Sequence, residues 1–155
     1  MKIDLEPLWQ FVAEQPHVKR SQLHGLGHWR RVARNGEVLA RRTGADPYVV
    51  ELFAIFHDSR RENDNSDPQH GARGAAYAAS LRGLHFELDD ERMALLEYAC
   101  IWHTDGKHHA DPTIGTCWDA DRLDIGRVGF PPGADFMSTA FGQEIARAGT
   151  IYPFL

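Results

Sequence analysis

Residues 46–58 read DPYVVELFAIFHD, and this stretch decides the fold. Asp46-Pro47 favours a helix start, because Asp caps free backbone N–H groups and Pro fits the first helical position. The following residues are apolar nearly all round, as in a central buried helix. The stretch ends on His57-Asp58. A buried ionised Asp58 needs a partner, most directly a divalent cation; the alternative is that it faces water at the helix end.

The segments on either side are also helix-like, with no internal repeat and no period-two alternation. They predict an all-α fold of about six to seven helices. Besides the central helix, we expect helices over 5–14, from 28 to near 42, 69–81, from 89 or 90 to 103, from 112 to 125, and 137–148.

The chain has 155 residues, which fits a single domain spanning 1–155. Its formal charge of -5 argues against bulk binding of nucleic acid. The N-terminal sequence resembles no signal peptide and no apolar run is long enough to cross a bilayer, so we expect a cytoplasmic protein that does not bind membranes. Cys100 and Cys117 are expected to be reduced and buried.

Histidines and acids remote from the central helix extend the hypothesis of a metal site. His24 and His28 lie four residues apart, and Asp121 interrupts an apolar helical run. Taken singly, each fits a hydrogen-bonded core histidine or a solvated acid. Taken with His57 and Asp58, they predict a mixed imidazole and carboxylate site for Mn, Fe, Mg, Ni, Co or Zn.

Five motifs carry a family resemblance: HGLGHWRRV, FAIFHDSRREND, DPQHGARGA, IWHTDG and DADRLDIGRVG. With these motifs, which span 24–129, the sequence resembles the HD-domain superfamily of metal-dependent phosphohydrolases. The resemblance implies an HD-type helical bundle in which the metal ligands are His28, His57, Asp58 and Asp121. His24 is the less favoured first ligand and is expected to support the ligands from outside.

Some members of the superfamily hold two metals, bridged by the Asp of the HD pair. By resemblance, His70 and His103 would complete a second metal site with Asp58. The loop that continues to His108 and His109 departs from the pattern of the cyclic-dinucleotide phosphodiesterase branch. One or two metals per chain therefore both stay open, since His70 also fits an exposed position in the first turn of its helix.

The resemblance predicts a phosphohydrolase that cleaves a small phosphate ester, a nucleotide or nucleotide-derived signal, through a metal-bound hydroxide. Asp58 would orient the water or accept its proton, with Arg61 as the second catalytic residue. Arg60, Arg61 and Glu62 would bind the substrate. Arg122 is expected to make a structural ion pair.

Two other functions stay open. One is oxygen chemistry at two irons, as in a related branch of the superfamily; the other is a non-catalytic module that senses a nucleotide or a metal. The oligomeric state is also open. Trp29, Trp102 and Trp118 each flank a candidate ligand, and their helical spacing favours the core over stacking on a base.

Overall fold

A computed structural model describes residues 2–15 and 23–155. In these ranges the chain forms α-helices, short 3-10 turns and one isolated bridge between Arg82 and Phe86. The α-helices are α1 (Glu6–Ala13), α2 (Leu26–Thr43), α3 (Pro47–Phe56), α4 (His70–Leu81), α5 (Asp90–Trp102), α6 (Pro112–Arg122) and α7 (Ala140–Ala148). The predicted all-α fold is confirmed. None of the described helices is long and apolar enough to cross a membrane.

Helix α3 is the centre of the fold, as its sequence predicted. Its N-terminus is capped by Asp46, whose side chain accepts hydrogen bonds from the backbone N–H groups of Tyr48 and Val49. The helix contacts α2, α4, α5 and α6. From Leu52 to Phe56 every residue is buried, which explains why the stretch has no polar face. The C-terminal end of α3 is therefore enclosed by the neighbouring helices.

Glycines allow the helices to approach closely at this end of the bundle. A Cβ atom on Gly71 would collide with the carbonyl oxygen of Cys100, and one on Gly74 would collide with that of Phe56. Helix α4 thereby packs directly on the ends of α3 and α5. Gly36, near the middle of α2, leaves room for the side chain of Val50 on α3.

The C-terminal helices differ from the sequence prediction at their boundaries. Helix α6 ends at Arg122 and continues as a 3-10 turn over Leu123–Val128, which ends at Gly129 with a φ of 90°. Helix α7 begins later than predicted because the hydroxyl of Thr139 caps it by accepting a hydrogen bond from Gly142 N. Sequence periodicity does not separate an α-helix from a 3-10 turn that continues it.

The core confirms most of the predicted burial. Trp29 and Trp118 are buried, whereas Trp102 is 45% exposed and contradicts the prediction that it belongs to the core. Trp102 is the last residue of α5 and lies on the same face of the helix as Tyr98, which is 43% exposed. Cys100 and Cys117 are buried free thiols, as predicted.

Candidate metal centre

Three helices bring four of the predicted ligands together. His28 lies in the first turn of α2, His57 and Asp58 follow the last residue of α3, and Asp121 lies in the last turn of α6. Their candidate ligand atoms all lie within 4.8 Å of one another. The Nε2 atom of His28 is 3.1 Å from Asp121 Oδ1 and 3.3 Å from Asp58 Oδ2. This cluster can hold a metal ion.

The packing of α2 against α6 places His28 opposite Asp121. Asn35, two turns after His28 on α2, is buried and donates a hydrogen bond from Nδ2 to the carbonyl oxygen of Ala120 at 3.0 Å. The bond fixes α2 to α6 one residue before Asp121. Residues 93 positions apart in the sequence thereby share one site.

A second group of ligand atoms adjoins the first and shares Asp58 with it. His70 is the first residue of α4, and His103 follows the last residue of α5. Their Nε2 atoms lie 3.3 Å and 3.5 Å from Asp58 Oδ1, and 2.9 Å from each other. Asp58 thus presents Oδ2 to His28 and His57, and Oδ1 to His70 and His103. One carboxylate joins two clusters that can each hold a cation.

In three histidines, a hydrogen bond made by the outward-facing nitrogen determines which nitrogen carries the hydrogen and which faces the cluster. The Nδ1 atoms of His57, His70 and His103 donate to the carbonyl oxygens of Phe53, Asp67 and Cys100 at 3.0, 2.5 and 2.6 Å. A carbonyl oxygen only accepts, so each Nδ1 carries a hydrogen and each neutral ring offers an Nε2 lone pair inward.

Inward-facing lone pairs need a cation between them. The Nε2 atoms of His28 and His57 are 3.2 Å apart, and those of His70 and His103 are 2.9 Å apart. Two imidazole nitrogens that both offer lone pairs repel at this distance unless a proton or a metal ion lies between them. The donor set therefore fits the divalent ions that imidazole and carboxylate bind.

Asp124 completes the surroundings of His28 and was missed in the sequence. Its Oδ2 accepts a hydrogen bond from His28 Nδ1 at 2.7 Å, and its Oδ1 accepts one from Arg31 Nε at 2.7 Å. A carboxylate behind a metal-binding imidazole fixes the ring and strengthens it as a donor. In the sequence DADRLD, Asp124 is typical of a solvated acid. Its spacing of three residues from Asp121 nevertheless places both on one helical face.

The charges of the first cluster depend on one another. Burial lowers the pKa of His28, but hydrogen bonds to Asp121, Asp124 and Asp58 outweigh burial and raise it to about 10. Burial also lowers the pKa of His57, but Asp58 and Asp121 outweigh burial and raise it to about 9. Burial raises the pKa of Asp58 and of Asp121, yet the imidazoles hold both well below the usual range. Without a metal, protons on the imidazoles supply the positive charge that the carboxylates require.

Arg61 lies against the shared carboxylate. Its Nε is 3.3 Å from Asp58 Oδ1, and its Nη1 donates to the carbonyl oxygens of Asn63 and Asn65 at 3.0 and 3.2 Å. The Nη2 atom donates no hydrogen bond to any described residue. Arg61 therefore links the loop after α3 to the cluster and keeps donors to spare.

The other two predicted substrate-binding residues lie farther out. The guanidinium of Arg60 stacks on the ring of Tyr77, with Cζ 3.8 Å from the ring centroid. Glu62 is exposed, and its carboxylate lies 3.4 Å from Arg73 Nη1. Both border the same loop as Arg61, but neither contacts the histidines.

His24 lies outside both clusters of ligand atoms. Its Nδ1 is 2.9 Å from Asp64 Oδ1, and its ring lies edge-on to that of His28 at 6.2 Å between centroids. Burial lowers the pKa of His24 despite the hydrogen bond to Asp64. The residue borders a candidate ligand, as predicted, through a ring contact.

Arg122 has a structural role, as predicted, but with different partners. Its guanidinium donates to the carbonyl oxygens of His103, Gly106, Lys107 and Phe136 in place of an acidic side chain. These bonds hold the loop that begins at His103.

The two histidines of the loop after α5, His108 and His109, make structural hydrogen bonds. His108 Nε2 donates to the carbonyl oxygen of Asp135 at 2.6 Å, and His109 Nδ1 accepts from Asp111 N at 3.0 Å. Neither belongs to a ligand cluster in the described chain.

Comparisons with known proteins bear on the fold. No protein-family model matches the chain, and no curated protein matches it. A solved structure that resembles it is the crystal structure of a predicted HD superfamily hydrolase from an uncultured Thermotogales bacterium. The TM-score is 0.72 at 23% sequence identity, over 97% of this chain and 84% of the other. The chain therefore shares the helical fold of this protein, which agrees with the HD-type helical bundle that the sequence motifs predicted.

Proposed function

We propose that this chain is a metal-dependent phosphohydrolase of the HD superfamily that cleaves a small phosphate ester, a nucleotide or a nucleotide-derived signal. The observation that carries the proposal is the convergence of His28, His57, Asp58 and Asp121 within 4.8 Å, on a fold shared with a predicted HD hydrolase. The cluster is buried, so its charges act in a medium of low dielectric constant.

Two metal ions are proposed. The first would be held by His28, His57, Asp58 and Asp121; the second by Asp58 with His70 and His103. A divalent ion in such a site lowers the pKa of water towards neutrality and polarises a phosphoryl oxygen. Four imidazoles favour Mn, Fe, Co, Ni or Zn over Mg, because Mg prefers oxygen ligands.

The roles of the two carboxylates follow from their surroundings. Both oxygens of Asp58 face histidines, and Oδ1 also faces Arg61, so neither is left to accept a proton. We assign Asp58 the role of the shared ligand. The Asp121 side chain is 15% exposed, the most accessible of the four, and its Oδ2 accepts no hydrogen bond from a described residue. Asp121 is therefore the better proton acceptor for an attacking water.

Phosphate binding is assigned to arginine. Arg61 Nη2 supplies free N–H donors beside the shared carboxylate, and a planar guanidinium suits phosphate oxygens. Arg60 and Glu62, at the outer edge of the same loop, would contact the part of the substrate beyond the phosphate. The anchoring of Arg61 on Asn63 and Asn65 fixes its side chain before substrate arrives.

The assignment is tested by measuring metal content and hydrolysis together. Protein purified without chelator is analysed for metals, then assayed on phosphomonoesters, phosphodiesters and nucleotides with each metal in turn. We expect Asp58→Ala to lose bound metal and hydrolysis while keeping its helicity by circular dichroism. Asp135→Ala, which removes an exposed acid, is the matched control. Normal turnover by Asp58→Ala would contradict the proposal.

The pair of clusters joined by Asp58 also suits two irons, so oxygen chemistry is the second candidate. Anaerobic loading with Fe(II) followed by an oxygen-dependent spectral change would favour it over hydrolysis. Tight nucleotide binding with no turnover under any metal would instead favour a sensing module.

A further inference from the structure

A cavity of about 800 Å³ lies between α1, α2 and the first turns of α3. It is distinct from the metal centre, because Tyr48 lines it at the start of α3 whereas His57 follows the other end. Nine residues of helix separate the two, which is about 14 Å. The volume is in the range of sites that bind small molecules.

The walls of the cavity are cationic in a chain whose formal charge is -5. Five basic and two acidic side chains line it: Lys2, Arg30, Arg34, Arg41 and Arg92, with Glu37 and Glu51. Some of this charge is already paired, since Arg30 Nη2 lies 2.8 Å from Glu6 Oε1 and Arg92 Nε lies 3.2 Å from Asp46 Oδ2. Arg41 Nη2 also lies 3.9 Å from Glu37 Oε1, so Lys2 and Arg34 are the basic lining residues that form no ion pair within the described chain, and they give the cavity its preference for an anion.

Arg34 is the side chain that most needs a partner. Its Nε is buried and makes no hydrogen bond, and among the described residues only Arg92 Nε, in the same cavity, is in that position. Arg92 Nε still faces a carboxylate, whereas no acid forms an ion pair with Arg34 in the described chain. The neighbours of Arg34 are the amide oxygen of Asn35 at 3.3 Å and the ring of Tyr152. The described chain therefore leaves the positive charge of Arg34 without a compensating acid, and an anion in the cavity would supply one.

Two aromatic rings in the wall of the cavity are covered by guanidinium groups. Trp9 is held in place by a hydrogen bond from its Nε1 to Glu51 Oε2 at 2.9 Å, and Arg30 Cζ lies 4.1 Å from its ring centroid. Arg92 lies over Tyr48, with the Cζ atom of Arg92 5.3 Å from the centroid of the Tyr48 ring. Trp9 is buried, so the surface open to a ligand is the flat guanidinium of Arg30, which suits a planar group that carries negative charge.

We propose that this cavity is a second binding site, separate from the metal centre, for a small organic anion with a planar apolar group and a phosphate or carboxylate. The anionic group pairs with Arg34, and the planar group stacks on the guanidinium of Arg30, which covers the Trp9 ring, beside Tyr48. The site is independent of the hydrolysis proposed above.

The test uses phenyl phosphate as the probe, on metal-free protein in excess chelator. Binding is followed by calorimetry and by the NMR resonance of the Trp9 indole N–H. We expect saturable one-to-one binding that shifts this resonance, with inorganic phosphate and phenol each binding more weakly. Arg34→Met, which keeps an unbranched apolar side chain and removes the guanidinium, should weaken binding at least tenfold, and Arg34→Lys should restore part of it.

Arg147→Met is the matched control, because Arg147 is an exposed arginine on α7. It should bind the probe as the wild type does. The proposal is overturned if the wild type shows no saturable binding, if Arg34→Met binds normally, or if His57→Ala removes binding while Arg34→Met does not. If Arg34→Met fails to fold, Trp9→Phe replaces it, with weakened binding expected and unchanged binding overturning the proposal.

Discussion

Replacing Asp124 by Asn tests whether the proposed metal centre depends on a carboxylate outside the proposed ligand set. Asp124 Oδ2 receives the Nδ1 hydrogen of His28 at 2.7 Å, and Oδ1 receives Arg31 Nε at 2.7 Å. The carboxylate is buried, with 8% of its side chain exposed. Asparagine keeps one oxygen but turns an NH2 group towards one of these two donors. The variant loses the negative charge and one acceptor at once.

The expected loss of metal affinity follows from the usual effect of removing a hydrogen-bond acceptor of this kind. Removing the acceptor behind a metal-binding histidine weakens metal affinity by about 10- to 100-fold. At about 1.4 kcal/mol per tenfold, this corresponds to roughly 1.4–2.8 kcal/mol. Because Asp124 serves both His28 and Arg31 in a buried site, we expect the upper part of this range.

The assay is a Mn(II) titration of chelator-treated protein against a competing indicator dye, at one pH and ionic strength. Asp135→Asn, at an exposed acid, controls for the change of net charge. The Co(II) visible spectrum adds a second readout, since a reoriented His28 ring changes it and a general loss of stability does not. Wild-type affinity and spectrum in Asp124→Asn would refute the reasoning.

Two further predictions concern pH and packing. In metal-free protein the pKa values of His28 and His57 are raised from 6.5 to about 10 and about 9, so their contribution to stability is complete below pH 6.5 and is lost as the pH rises through 9 to 10. Thermal melting of chelated protein should fall over that interval more steeply than that of Mn-loaded protein, and parallel curves would contradict this. Gly71→Ala places a methyl group against the Cys100 carbonyl and should lower the free energy of unfolding, measured in urea, by about 1–3 kcal/mol. It should also lower the metal occupancy of the proposed site at His70 and His103. Gly126→Ala, with open space around its Cβ, should change neither, and equal behaviour of the two variants would count against the packing argument.

The convergence of His28, His57, Asp58 and Asp121 could be predicted from sequence because they form an ordered set of remote imidazoles and acids. The central helix was recognisable for a related reason, since only a buried helix is apolar on all sides. His70 and His103 were expected from the family resemblance alone. The structure brings both to Asp58, through the close packing of α4 at Gly71 and Gly74.

Features that depend on particular contacts escaped prediction. Asp124 lies in an acidic run typical of solvated surfaces, and only the fold turns it towards His28. Arg34 has the sequence surroundings of any arginine on an amphipathic helix, so its unpaired Nε becomes visible only with the cavity. Trp102 lies on the outer face of α5 with Tyr98 and Ile101, and this face is apolar in sequence although it is exposed.

The central claim is that side chains remote in sequence converge on a cation. Anomalous diffraction from crystals grown with Mn(II), recorded on both sides of the manganese absorption edge, tests it most directly. We predict a peak in contact with the Nε2 atoms of His28 and His57 and with carboxylate oxygens of Asp58 and Asp121. Crystals saturated with manganese that show no peak there, or whose peaks lie only on other residues, would contradict the account.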